Sequence, residues 1–345
     1  MKILLVTQMW PTPSEPDLGS FLLPLRRELV AQGHQVEVAA IGRRGGGKGK
    51  YARLAADAVR AARRTRPDVV FAHFLFPAGL AGLLAARAAR VPLVVMAHGQ
   101  DVANLDRAPL RLATRPVVRG AAAVIANSRW LAARLEGRFP GLSCDVCDLG
   151  VDLAQFDPQG TTPAAWPDGA AAVGGDATRP RVLCVGSLIE RKNVIALADA
   201  FATLGRGSLT FVGDGPLRGA LEGRPGVTIV GRVPHDAVPA WYAACDVLAQ
   251  PSRIEPFGLA ALEAMAMART VVATTHGGPP EFVTPEAGVL VDPDDPAALA
   301  AALARAAQMP SPNAAARVAA AAHDVTRQAA AMAGILARSA TTDVS

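Results

Sequence analysis

The chain has 345 residues, 51% of them hydrophobic and 19% charged, with a net charge of +5. That is too long for one ordinary core and too apolar for a disordered polymer, so two compact domains are expected. The opening MKILLVTQMW carries an apolar run too short for a signal-peptide core or a bilayer span, which makes cytoplasmic residence the default.

Taken in order, the predicted elements alternate between strand and helix. KILLVT (2–7) precedes a helical stretch over 21–32 that ends at Gly33, then come QVEVAAI (35–41) and a glycine-lysine-arginine loop. A helix over 51–65, DVVFAHF (68–74), a helix over 77–90, LVVMA (93–97), a helix near 107–119, AAVIAN (122–127) and a helix from Ser128 complete the first half. Parallel strands need crossovers, so this alternation predicts a parallel sheet with helices on both faces. Residues 157–180 are rich in proline and glycine without periodicity and read as a linker or long loop. The pattern restarts with RVLCVG (181–186), a helix over 193–204, LTFVG (209–213), VTIVG (227–231), a helix over 236–244, DVLAQP (246–251), a helix after Glu255 and TVVAT (270–274). An alanine-rich helix over 314–337, capped by Asn313, is placed to cross back over the first domain. The divisions are 1–156, 157–180 as linker, 181–311 and 312–345. The two doubly wound, Rossmann-like domains are expected to face each other across a cleft.

Charge is divided unevenly: residues 1–150 hold 21 Lys+Arg against 11 Asp+Glu, and the remainder 14 against 19. Helical spacing puts Arg60, Arg63 and Arg64 on one side of a helix, and likewise Arg111, Arg115 and Arg119. No aromatics interleave to stack bases, which argues against nucleic acid. An anionic membrane surface or lipid-linked acceptor stands against ordinary solvated helix faces. Cys144 and Cys147 form a C-x-x-C with no second pair nearby, so structural thiols are favoured over zinc or redox work.

Ligands of such sheets collect at the strand carboxyl ends, where GSLIERKN, GDGP, EPFG and HGGPPE fall. In EPFGLAALE, Glu255 and Glu263 stand eight apart. If Pro256 begins a helix, the amides of Phe257, Gly258 and Leu259 point outward with the positive end of the dipole. Eight residues then span about 12 Å and return to within about 80° of the starting direction, so the two carboxylates could line one side of a ligand.

The run GRVPHDAVPAWYAACDVLAQPSRIEPFGLAALEAMA (231–266) resembles the signature region of the retaining glycosyltransferases of family four, of the GT-B fold. PTPSEPDLGSF, AHGQDV (97–102), VIANSRWLA (124–132), LGVDLAQFDP (149–158), VGSLIERKN (185–193), VGDGP (212–216) and GGPPE (277–281) extend the resemblance in order through both domains. It implies transfer of a sugar from a UDP-sugar or GDP-sugar donor, with no further cofactor, to a glycan or lipid-linked acceptor held by the basic first domain. The setting implied is bacterial polysaccharide or envelope assembly, with the protein cytoplasmic or peripheral on the inner membrane face.

By the same resemblance Glu255 contacts donor-sugar hydroxyls, Glu263 the ribose hydroxyls and Lys192 the diphosphate. Ser187 departs from the arginine common in relatives, and Arg191 is the candidate for the missing cation, with a solvated Arg-Lys turn as the alternative. No D-x-D pair stands in a context suggesting a metal, so amides and cations must stabilise the leaving diphosphate. Gly19, Gly186 and Gly213 would permit close approach of backbone to phosphate, although Gly213, Gly215, Gly277 and Gly278 equally suit turns. His98 is expected at the reacting sugar, with a buried structural histidine as the alternative, and Asp101 supports its loop or the acceptor side. The mechanism commonly proposed for the family lets the donor phosphate take the acceptor proton, so His98 is a positioning group with acid-base help. Asn127 and Ser128 read as a helix cap and Asp152 as a hinge organiser. A nucleotide-sugar epimerase of the same fold and a non-catalytic membrane scaffold are the alternatives.

Overall fold

The computed structural model describes residues 1–167 and 179–341. Two units divide the chain: Met1–Gly150 with the segment from Val325 onward, and Val151–Asp324.

In the first unit the order is β1 (Lys2–Thr7), α1 (Leu22–Ala31), β2 (Gln35–Ala40), α2 (Gly49–Thr65), β3 (Val69–His73), α3 (Ala78–Ala89), β4 (Leu93–Ala97), α4 (Gln100–Ala103), α5 (Ala108–Gly120), β5 (Ala123–Ala126), α6 (Arg129–Arg138) and β6 (Asp145–Val146). The six strands form one parallel sheet in the order β2-β1-β3-β4-β5-β6. Ile3 to Val6, Val69 to Ala72 and Leu93 to Ala97 are buried without a break, as strands covered on both faces must be. Ser128 caps α6, its Oγ accepting the Leu131 amide at 3.1 Å.

The second unit runs β7 (Arg181–Val185), α7 (Val194–Leu204), β8 (Ser208–Val212), α8 (Arg218–Leu221), β9 (Val227–Gly231), α9 (Val238–Ala244), β10 (Val247–Gln250), α10 (Leu259–Ala266), β11 (Thr270–Thr274), β12 (Gly288–Val291), α11 (Pro296–Ala306) and α12 (Ala314–Ala321). Its sheet is again parallel and six-stranded, in the order β12-β11-β10-β7-β8-β9. In each unit the winding reverses once, between β1 and β3 in the first and between β7 and β10 in the second. Such reversals open a crevice beyond the strand carboxyl ends.

The last helix, α13 (Val325–Thr341), returns to the first unit. Ala329, Met332, Ala333, Ile335 and Leu336 bury themselves with Ile3, Leu25, Leu29, Phe71 and Met96. The single helix expected over 314–337 is therefore two. The break has a backbone cause: the His323 carbonyl accepts the Val151 amide at 2.8 Å, and Val151 pairs with Asp324 as an isolated bridge. Asn313 caps α12, accepting the Ala316 amide at 3.1 Å.

Three more features depart from the sequence reading. β12 and α11 were not anticipated. α10 starts at Leu259 rather than Pro256, because Gly258 adopts φ +105 and Glu255 is drawn out as a bridge to Gly277. Of the expected linker, 168–178 lie outside the described residues, but its start is packed: Trp166 is buried, and its indole N–H donates to Ser208 Oγ at 2.8 Å.

Candidate active site

In the second unit the polar residues gather at the reversal, where β7 and β10 end. Glu255 is 7% exposed, yet one of its oxygens, Oε2, accepts from Lys192 Nζ at 2.6 Å, Ser252 Oγ at 2.9 Å and Gln250 Nε2 at 3.2 Å. Burial raises the Glu255 pKa, but the Lys192 charge and hydrogen bond, the Arg191 charge and the Ser252 hydroxyl outweigh it and hold it below its usual value. A buried carboxylate so arranged stays ionised.

The backbone of Glu255 is clamped as well. Its amide donates to the His276 carbonyl and its carbonyl accepts the Gly278 amide, both at 2.9 Å. A Cβ on Gly277 would lie 1.8 Å from the Glu255 carbonyl oxygen, and one on Gly213 1.9 Å from that of Gly186. Both glycines therefore have a steric reason in the fold, beside their positive φ. Gly19, at φ +72, is likewise pressed on the Met9 carbonyl.

Because α10 begins after Glu255, the two glutamates do not share a helix, and the eight-residue helical rise does not describe their separation. Phe257 packs its ring on Phe282, Gly258 is the N-cap, and Leu259 opens the helix, whose first amides lack intrahelical acceptors. Arg191 turns its guanidinium to the Ile254 carbonyl at 3.0 Å rather than to Ser187.

Glu263 belongs to a different network. Its Oε1 pairs with His235 Nε2 at 3.1 Å and its Oε2 accepts from Tyr242 Oη at 2.9 Å. Burial lowers the His235 pKa, but the hydrogen bond and charge of Glu263, with Asp236 and Asp152, raise it overall. Sequence reasoning passed over His235, Tyr242, Gln250 and Ser252. Tyr242 carried a signal, being one of two tyrosines in the chain.

In the first unit, His98 stands just beyond β4 and is half-buried. Its ring is enclosed by Phe74 at 4.4 Å and Phe21 at 5.3 Å. Phe74 holds a left-handed φ of +77, a strained conformation for a bulky residue at a strand end. Burial takes the His98 pKa down to about 3, so the ring is neutral. Asp101 is turned to the backbone: Oδ1 accepts the amides of His98, Gly99 and Val102, and Oδ2 that of Leu75 at 2.8 Å. Burial raises its pKa despite these amides. Asp152 likewise accepts local amides, those of Ala154 and Gln155.

The basic clusters differ. Arg60 pairs with Asp57 at 3.0 Å and Arg64 with Glu37 at 2.5 Å. Among the described residues, Arg111, Arg115 and Arg119 have no carboxylate in salt-bridge range. With Arg138, Phe139 and Leu142 they line a surface groove of about 540 Å³. All four cysteines are free, and burial pushes the Cys144 and Cys147 thiols up to about 12, far from a reactive thiolate. One surface group among the described residues, His276, Asp292 and Asp294, has ligand atoms within 4.8 Å of one another. No helix among them is long and apolar enough to cross a membrane.

Two doubly wound units with polar groups gathered where each winding reverses define a Rossmann-like α/β protein of the GT-B class. The chain belongs to the glycosyltransferases of group 1, family 4: residues 18–155 match the model described as Glycosyltransferase Family 4, and residues 179–309 the one described as Glycosyl transferases group 1. It is 31% identical over 250 residues to the GDP-mannose-dependent alpha-(1-6)-phosphatidylinositol monomannoside mannosyltransferase of Mycolicibacterium smegmatis, covering 66% of this chain and 64% of that one. With the D-inositol 3-phosphate glycosyltransferase of Salinispora arenicola it shares 34% over 301 residues, covering 73% and 63%. The chain thus spans less than two thirds of the length of these relatives. Among solved structures, the sucrose-phosphate synthase of Thermosynechococcus elongatus superposes with a TM-score of 0.78 at 22% identity over 98% of both chains. The Anabaena protein HepE in complex with UDP-glucose gives 0.74 at 24%, over 98% of this chain and all of that one. At such identities these likenesses establish the fold.

Proposed function

We propose that the protein transfers a sugar, with retention, from a UDP-sugar or GDP-sugar to a glycan or lipid-linked acceptor in bacterial polysaccharide or envelope assembly. The observation that carries this reading is the Glu255 carboxylate. Three donors converge on Oε2, while Oε1 makes no hydrogen bond among the described residues, leaving it to receive sugar hydroxyls. Lys192, already at the same carboxylate, supplies positive charge for the departing diphosphate, the kind of preorganised stabilisation that lowers a barrier most. Gly186 and Gly213 bring backbone close to the phosphates, and the first-turn amides of α10 add donors. Glu263, with His235 and Tyr242, holds the ribose end. His98 is the sugar-contacting group of its own unit, and its depressed pKa suits a neutral hydrogen-bonding group better than a base working at neutral pH. The unpaired arginines of α5 are the surface for an anionic acceptor or membrane.

Isothermal titration with a panel of nucleotide sugars tests the donor site: heat is expected for a UDP-sugar or GDP-sugar and a large loss of it in Glu255→Ala and Lys192→Ala. Unchanged binding in both variants removes the site assignment. Flotation with anionic vesicles, repeated with Arg115→Glu, tests the basic groove separately.

A further inference from the structure

His73, which sequence reasoning did not single out, is the last residue of β3 and is fully buried. Its Nδ1 stands 3.0 Å from His98 Nε2, with ring planes 29° apart and centroids 5.2 Å apart, the edge-to-edge arrangement that an N–H···N bond requires. Its other nitrogen, Nε2, is buried without any partner. Leaving a polar atom so buried is unfavourable. A phenylalanine would fill the space without that cost, and Phe71 already packs against the ring at 4.4 Å, its plane tilted by 54°. What distinguishes a histidine here is the one bond it makes, and that bond goes to His98.

We infer that His73 is a positioning residue that fixes the ring orientation of His98 and holds it in a single tautomer. The rest follows from counting hydrogens. Burial lowers the pKa of both rings, His73 further disfavoured by its neighbour, so each is neutral and carries one N–H. One hydrogen lies between Nδ1 of His73 and Nε2 of His98. Whichever ring donates it, the character of His98 Nδ1 is then set: a donor if His73 gives the hydrogen, an acceptor if His98 does. His98 Nδ1 has no hydrogen-bond partner among the described residues and is not one of the sealed, unpartnered atoms. It is the nitrogen left to meet a ligand hydroxyl, with a fixed hydrogen-bonding sense. This deepens, and rests on, the assignment of His98 to the donor sugar.

The test is long-range proton–nitrogen NMR of the full chain labelled with ¹⁵N-histidine, with His98→Ala used only to assign the His98 ring. One tautomer of His98 is expected in the unsubstituted protein. Exchange between two tautomers there overturns the inference without need of any variant. In His73→Phe the His98 pattern is expected to change or average, whereas His73→Asn, whose amide reaches the position of Nδ1, restores a single form. An unchanged pattern in His73→Phe also overturns it. These spectra need no substrate, so they decide the role of His73 whether or not sugar transfer is found. If transfer is found, kcat/KM should fall roughly tenfold to a hundredfold in His73→Phe, as loss of ring alignment implies, and recover in His73→Asn. Loss without recovery would mark a merely structural role.

Discussion

The two reversal points solve opposite problems with buried polar groups. Beside β10 a carboxylate is kept charged, because Lys192, Ser252 and Gln250 replace the water it lost. Beside β3 two imidazoles are kept neutral, because they are given each other and rings rather than counter-charges. The difference teaches that burial alone does not set charge state: the same desolvation is overcome in one unit and prevails in the other.

The sharpest way to break the comparison is to remove the partner on the charged side. Glu255→Gln and Lys192→Met should each lower turnover by about 10²–10³-fold, the usual loss for a preorganised charge-stabilising group. Lys192→Met should also destabilise the fold by about 3–5 kcal/mol, since it strands a buried charge; urea unfolding at pH 7 reads this. The pH dependence should change sign. With Lys192 present, the depressed Glu255 pKa gives stability above its unfolded value near 4.3, lost as pH falls through the folded value. Without Lys192, burial dominates and raises the pKa, so acidification from pH 7 towards 5 should recover part of the lost stability.

Gly277→Ala comes next. The new methyl would press on the Glu255 carbonyl oxygen at 1.8 Å, which should cost about 1–3 kcal/mol and weaken donor binding in the same calorimetric assay.

On the neutral side, His98 binds its proton less readily folded than unfolded. Stability should therefore decline as pH falls from about 6.5 towards the folded value of about 3. His98→Ala should reduce that slope by about 1.4 kcal/mol per pH unit, the equivalent of one proton, in urea midpoints taken between pH 6 and 4.5. The smallest effect is expected where charge is paired at the surface: Arg64→Ala, which removes the pair with Glu37, should shift stability by under about 1 kcal/mol.

Much of the fold was legible because strands covered on both faces leave unbroken apolar runs such as ILLV, VVFA and LVVMA. β12 and α11 escaped because GVLV is four residues long and the following alanines carry little periodic contrast. The start of α10 was misplaced because sequence does not show that Gly277 would bridge Glu255 and hold it extended. At the candidate site, Glu255 and Lys192 were legible from the motifs around them. His73 was not: its significance comes from β3 and β4 lying side by side, which brings it to a residue 25 positions away. The break between α12 and α13 was hidden for the same reason, since its cause is a hydrogen bond to Val151.

The placement of α13 sets an order of events during synthesis. Domains tend to fold as they emerge from the ribosome, yet the half of this protein that is made first lacks Met332, Ile335 and Leu336 from its interior until α13 has been made, after all of the second half. The half made second holds all its own strands and helices by Asp324. The later-born half can be complete while the elder still waits, with Phe71 and Met96 uncovered, for its closing helix. A chaperone or premature stop codon acting in that interval would meet the first half, not the second, as the vulnerable one.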